Sequence, residues 1–171
     1  MAADKQRARR TAREVIQRFA VKSAPVQVER IARVMKIRVQ YAPLDGDLSG
    51  MASIQDGVSI IGVNALHHPN RQRFTLSHEI GHFCLHRDVL EGAVHVDKHI
   101  LNRDALTEAG TDDREIEANA FASELLMPEP LLNAVLGNRT VAFEDDDFIA
   151  SLSKRFRVSD AAMRFRLFAP R

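Results

Sequence analysis

The chain has 171 residues, 45% hydrophobic and 27% charged, which fits one globular core and is too short for two ordinary domains. A net charge of +1 gives no field that marks a nucleic-acid binder, no apolar run reaches the roughly 20 residues that span a bilayer, and no apolar segment follows the basic N-terminus as a secretion signal requires. The expected compartment is therefore the cytoplasm, and Cys84, the single cysteine, excludes an internal disulfide and a multi-cysteine zinc finger.

Asp4 to Val21 repeats Ala8, Ala12, Val15, Ile16 and Phe19 at spacings of three and four, which predicts an amphipathic helix whose basic outer face is solvated. Pro25 is expected to open a second helix, Val26 to Met35. Lys36 to Ala42 alternates like a half-buried strand. Leu48 to Ile54 and Val58 to Val63 read as two more, joined through Gln55, Asp56 and Gly57, a hairpin signal. Residues 67–70, HHPN, break this pattern, and Thr75 or Ser77 is expected to start the helix that carries FTLSHEIGHFCLHR, Phe74 to Arg87. Arg87 to Thr111 has no period and reads as a long functional loop or lid. A helix over Asp113 to Met127 stops at Pro128, and Phe148 to Phe156 and Ser159 to Phe168 form two short closing helices, with Ser159 as a cap. Helices, a small three-stranded and mostly antiparallel sheet, then more helices make an α+β fold. One domain is expected over 1–171, with 146–168 as a C-terminal helical pair packed on its core.

His78 to His82, HEIGH, fits the pattern HExxH. Positions four apart stack on one helix face, so both imidazoles can reach one ion at about 2.0 to 2.1 Å. Glu79 then lies beside that ion, where it can take a proton from a water the ion acidifies. Leu76, Ile80, Phe83 and Cys84 form an apolar stripe on the other side, and Gly81 inside the helix suggests close approach of another backbone or a bound group. The competing reading is a partly exposed helix that merely carries histidines.

A catalytic zinc usually takes three protein ligands. His86 cannot be the third, because His78 and His86 stand roughly 12 Å apart along a helix rising 1.5 Å per residue. The next source is DREIEANAFASELLMP, Asp113 to Pro128. Projecting its residues at about 100° each puts Glu115 and Asn119 on one edge of the stripe Ala118, Phe121, Ala122 and Leu125, with Glu117 farther toward solvent. Glu115 is thus the candidate third ligand and Asn119 a candidate partner for a ligand histidine. Asp112 and Glu115 also have the spacing of a capping box, so a purely structural role for Glu115 stays open on spacing alone.

At RQRFTLSHEIGHFCLHR, Arg71 to Arg87, and EIEANAFASELLMP, Glu115 to Pro128, the chain resembles the ImmA/IrrE family of zinc metallopeptidases, with weaker likeness over nearly its whole length. The resemblance implies His78, His82 and Glu115 as zinc ligands and Glu79 as the catalytic base. It implies a cytoplasmic, gluzincin-like regulatory endopeptidase acting on a helix-turn-helix repressor or antitoxin. The end of the chain at Arg171 would leave no room for an added sensor domain, and the connection Arg87 to Thr111 is longer than the family usually has. Under the enzyme reading, oxyanion help could come from Tyr41, His86, His95 or His99, with Tyr41 and His86 also as substrate contacts, and the competing reading for each is an ordinary core or surface residue.

Two rivals accompany the enzyme reading. One is a non-proteolytic partner-binding regulator or toxin component with the same fold. The other is DNA binding through the closing helices, where Lys154, Arg155, Arg157, Arg164 and Arg166 cluster. The acidic run Glu144 to Asp147 argues against it.

Overall fold

The computed structural model describes residues 2–45, 47–91, 93–98 and 112–169. Helix α1, Lys5–Arg18, is capped by the Asp4 carboxylate, which accepts from Arg7 N, and buries Ala8, Ala12 and Val15 against the helix that carries Glu115. Helix α2 is shorter than expected, Val28–Val34, and Pro25 stands ahead of it, after a cis peptide bond, instead of in its first turn. The Val26 carbonyl accepts from the buried Arg73 guanidinium at 2.9 Å, which holds that residue outside the helix.

Strands β1, Ile37–Ala42, β2, Leu48–Gln55, and β3, Val58–Asn64, fall where the alternation places them. Asp56 and Gly57 both have positive φ, 50° and 77°, as the two-residue turn of a twisted hairpin demands. A fourth strand, β4, His95–Lys98, lies inside the connection expected to be a loop, after a four-residue helix α4, Arg87–Leu90. The sheet order is β1-β3-β2-β4, with β1 parallel to β3 and the other two pairings antiparallel.

Helix α3 runs Pro69–Leu85, starting six residues before Thr75. The HHPN segment is its beginning, because proline suits the first helical turn and His68 Nδ1 accepts from Asn70 N at 3.2 Å. Helix α5, Asp113–Leu126, ends before Pro128, and a further helix without a sequence expectation, α6, Glu129–Leu136, follows it. The chain closes with α7, Asp146–Phe156, and α8, Asp160–Phe168, whose first turn is capped by Ser159 Oγ accepting from Ala162 N.

The core lies around α3, which packs on β2 and β3 on one side and on α5 on the other. Leu76 and Ile80 from α3, Ile61 and Val63 from β3, and Phe121 and Leu125 from α5 are all fully buried there. The buried Glu124 carboxylate accepts from Arg13 of α1 at 3.2 Å and from Arg166 of α8 at 2.7 Å, tying the C-terminal pair to the core. Arg164 pairs with Asp146. Two of the cations that suggested a DNA-facing surface therefore face carboxylates of the chain itself. Among the described residues no helix is long and apolar enough to cross a membrane.

Candidate metal centre

Every residue from Thr75 to Phe83 is buried, so α3 is covered all round instead of on one stripe. His78 and His82 are 3% and 2% exposed, which removes the reading of surface histidines. Their face is roofed by α5. A Cβ placed on Gly81 would sit 3.1 Å from Phe121 Cδ1 and 3.3 Å from its Cβ. The close approach foreseen at Gly81 is thus made by a core side chain, and the absence of a Cβ lets α5 settle low enough for its first turn to reach the histidines.

Glu115 projects from that turn. Its Oε2 lies 3.2 Å from His78 Nε2 and its Oε1 3.3 Å from His82 Nε2. The capping box does not form, since Asp112 accepts from Arg114 N and the Glu115 side chain faces the histidines. Asn119, one turn on, places Oδ1 3.0 Å from His78 Nδ1. Glu117 departs from expectation. It is only 8% exposed, accepts from Asp4 N at 2.8 Å and meets His86 Nε2 at 2.9 Å, because α1 covers the side of α5 that projection assigned to solvent.

These partners set the tautomers. In neutral His78, Asn119 Oδ1 accepts from Nδ1–H, which leaves the Nε2 lone pair free. Glu117 accepts from His86 Nε2–H, so His86 Nδ1, 3.2 Å from His82 Nδ1, accepts in turn from His82 and leaves its Nε2 lone pair free as well. The two Nε2 atoms stand 3.0 Å apart beside the Glu115 carboxylate. Two lone pairs and an anion converging in a buried place repel one another without a positive charge among them, so the donor set fits a divalent metal ion.

The electrostatics of the site carry the same demand. Burial would lower the His78 pKa, yet Glu115, Glu79 and Asp97 together hold it up at about 9. Burial takes His82 down to about 4 despite Glu115, and it also lowers His95. Glu115 is held well below the usual carboxylate range by both histidines, against its own burial. A proton on His78 thus supplies the positive charge that a metal ion would bring.

Glu79 is fully buried, and neither carboxylate oxygen has a hydrogen-bond partner among the described residues. Burial first, then Asp97 and Glu115, push it up to about 8. Gly50 of β2 passes directly over it, where a Cβ would lie 3.2 Å from Glu79 Oε1.

The structure therefore brings together His78, Glu79, His82, Glu115 and Asn119. His86 joins them only through His82, and Tyr41 does not join them: it lies on β1, the sheet edge opposite β4, with its hydroxyl 3.4 Å from Glu29 Oε1. His99 falls outside the described residues. Two residues of β4 enter that were not among the ligand candidates. His95 Nε2 lies 3.3 Å from Glu115 Oε1, and Asp97 offers a carboxylate oxygen within 4.8 Å of donor atoms of both His78 and Glu79. Their alternation, His95-Val96-Asp97, spans too few residues to mark a strand face in the sequence.

A family model, Peptidase_M78, described as the IrrE N-terminal-like domain, matches residues 32–168. A solved structure, a Mycobacterium tuberculosis transcriptional regulator, is similar at a TM-score of 0.58 and 15% identity, over 92% of this chain and 45% of that one. That likeness shows the fold alone, and this chain spans less than half of the regulator's length. No curated protein matches the chain in sequence.

Proposed function

The chain belongs to the Peptidase_M78 family of IrrE N-terminal-like domains, and from that premise we propose that it is a zinc-dependent endopeptidase that cuts a peptide bond in a partner protein. One observation carries the reading: Glu79, a buried carboxylate without a hydrogen-bond partner among the described residues, stands beside two buried histidines and a half-buried glutamate whose donor atoms call for a positive charge. His78, His82 and Glu115 would hold the ion, which when bound polarises a scissile carbonyl and acidifies a water. Asn119, and His86 backed by Glu117, keep the ring protons on the Nδ1 atoms and the Nε2 atoms free to ligate. Glu79 takes a proton from the attacking water and returns it to the departing amine nitrogen. Burial first, and then the carboxylates around it, raise its pKa, and the charge of a bound cation would lower it toward the ionised form a base needs.

For the substrate we propose a helix-turn-helix transcription regulator or antitoxin, in the cytoplasm, with residues 1–171 acting as one domain. The family resemblance supports this, and the structural neighbour, itself a transcriptional regulator, is compatible with a regulatory setting. A second reading, a partner-binding regulator without proteolysis, is favoured only by the closeness of His95 to the other donors. Glu79→Gln separates the two. It should retain zinc at wild-type stoichiometry and lose cleavage of the regulator encoded beside it, and a variant that cleaves as well as wild type refutes the assigned base.

A further inference from the structure

We propose that His95 is a fourth protein donor to the same ion, closing a centre of His78, His82, Glu115 and His95, and that β4 is an internal strap that must withdraw before a peptide can be cut. This rests on the metal reading above and adds the regulation of that site.

Distances come first. A tetrahedral zinc with bonds of about 2.0 to 2.1 Å separates its donor atoms by roughly 3.3 Å. His78 Nε2 stands 3.0 Å from His82 Nε2 and 3.2 Å from Glu115 Oε2, while the other carboxylate oxygen, Oε1, stands 3.3 Å from the Nε2 atoms of both His82 and His95. All four residues offer donor atoms within 4.8 Å of one another. His95 Nε2 is moreover buried and has no hydrogen-bond partner among the described residues, since its approach to Glu115 lacks hydrogen-bond alignment. Such orphaned buried atoms are rare, and ligation would give this one a partner. Catalytic zinc sites keep one position free of protein, whereas four protein donors make a closed one.

The strand that delivers His95 lies across the catalytic groups. β4 pairs antiparallel with β2, with Ala52 opposite His95 and Gly50 opposite Asp97, and Gly50 is the residue that passes over Glu79. His95 and Asp97 therefore point at the centre while Val94 and Val96 are exposed. An extended substrate would use this same edge of β2, pairing by strand addition with its scissile bond between Glu79 and the ion. β4 takes that edge for the chain itself. Four residues long and paired on one side among the described residues, β4 is the kind of element that opens at low free energy.

The test uses the full chain loaded with zinc. X-ray absorption should count three imidazoles at the ion in wild type and two in His95→Gln, and chelator competition should show the variant binding zinc at least ten-fold more weakly. Hydrogen exchange of the amides in 48–52 and 95–97 should be slowed by zinc in wild type and not in the variant. Two imidazoles in wild type, an unchanged affinity, or zinc-independent exchange of these amides would overturn the inference while leaving the peptidase reading standing. A wild type that takes up no zinc overturns both. Should the variant fail to fold, the wild-type imidazole count decides alone.

Discussion

Gly50→Ala probes the contact that seats β2 on α3. The added Cβ would stand 2.5 Å from Thr75 Cγ2, 3.1 Å from the Gly62 carbonyl oxygen and 3.2 Å from Glu79 Oε1. Thr75 is buried and the Gly62 oxygen is backbone of the neighbouring strand, so neither has an open side to move into. Overpacking of this kind costs about 1 to 3 kcal/mol, and 2.5 Å puts it at the upper end. Replacing glycine in a strand returns about 0.5 to 1 kcal/mol of chain entropy. The net loss is about 2 kcal/mol, or a fall in melting temperature of about 4 to 8 °C for a chain of this size. Thr75→Ser deletes the clashing methyl and should itself cost about 0.8 kcal/mol. In that background Gly50→Ala should cost only about 0.5 kcal/mol, a coupling of about 1.5 kcal/mol in the double-mutant cycle. Urea unfolding of the four proteins in chelator, so that metal linkage does not enter, measures it. Additive effects, or a Gly50→Ala protein within about 0.5 kcal/mol of wild type, would refute the placement of β2 on Thr75. Cleavage should stay impaired in the double variant, because the contact with Glu79 survives the loss of the methyl.

Two further outcomes are expected. His86→Ala removes the acceptor that keeps the proton of His82 on Nδ1, and zinc affinity should fall roughly ten- to hundred-fold in chelator competition, with Glu117→Gln showing a smaller part of the same loss; unchanged affinity in both would mean that His82 is oriented by something else. Arg166→Ala leaves the buried Glu124 with Arg13 alone and should cost about 3 kcal/mol in urea unfolding. Removing both charges in Arg166→Met with Glu124→Leu should recover most of that loss.

What sequence patterns reveal in this fold is set by the range of the interactions behind them. α1, the β2–β3 hairpin and α5 rest on periodicity and on local turn and cap chemistry, and each lies within a few residues of its expected place. α3 begins earlier than the start expected at Thr75 or Ser77, because the HHPN segment that ends the strand pattern also opens the helix, with Pro69 in its first turn. β4 was hidden by its length, since four residues cannot display an alternation against the noise of a long connection. The apolar stripe of α3 was real, but its opposite face is buried too, and a helix covered on all sides carries no moment to read.

The candidate site divides along the same line. HExxH is a local pattern, whereas the face of one helix made Glu115 and Asn119 candidates but left a capping role for Glu115 open, and only the family resemblance chose between the two. Glu117 could not be placed this way, because the side of α5 it occupies is closed by α1, more than a hundred residues away in the chain. His95 depends on a register instead. β2 and β4 pair Leu48 with Lys98 but Gly50 with Asp97, an irregularity that accommodates Ser49 as an extra residue. A slip of one residue in a strand turns every side chain to the other face. The bulge at Ser49 thus helps to decide whether β4 presents His95 and Asp97 to the metal donors or Val94 and Val96. The difference between a centre with a vacant position and a closed one lies in a strand pairing, which no spacing within HVDK could disclose.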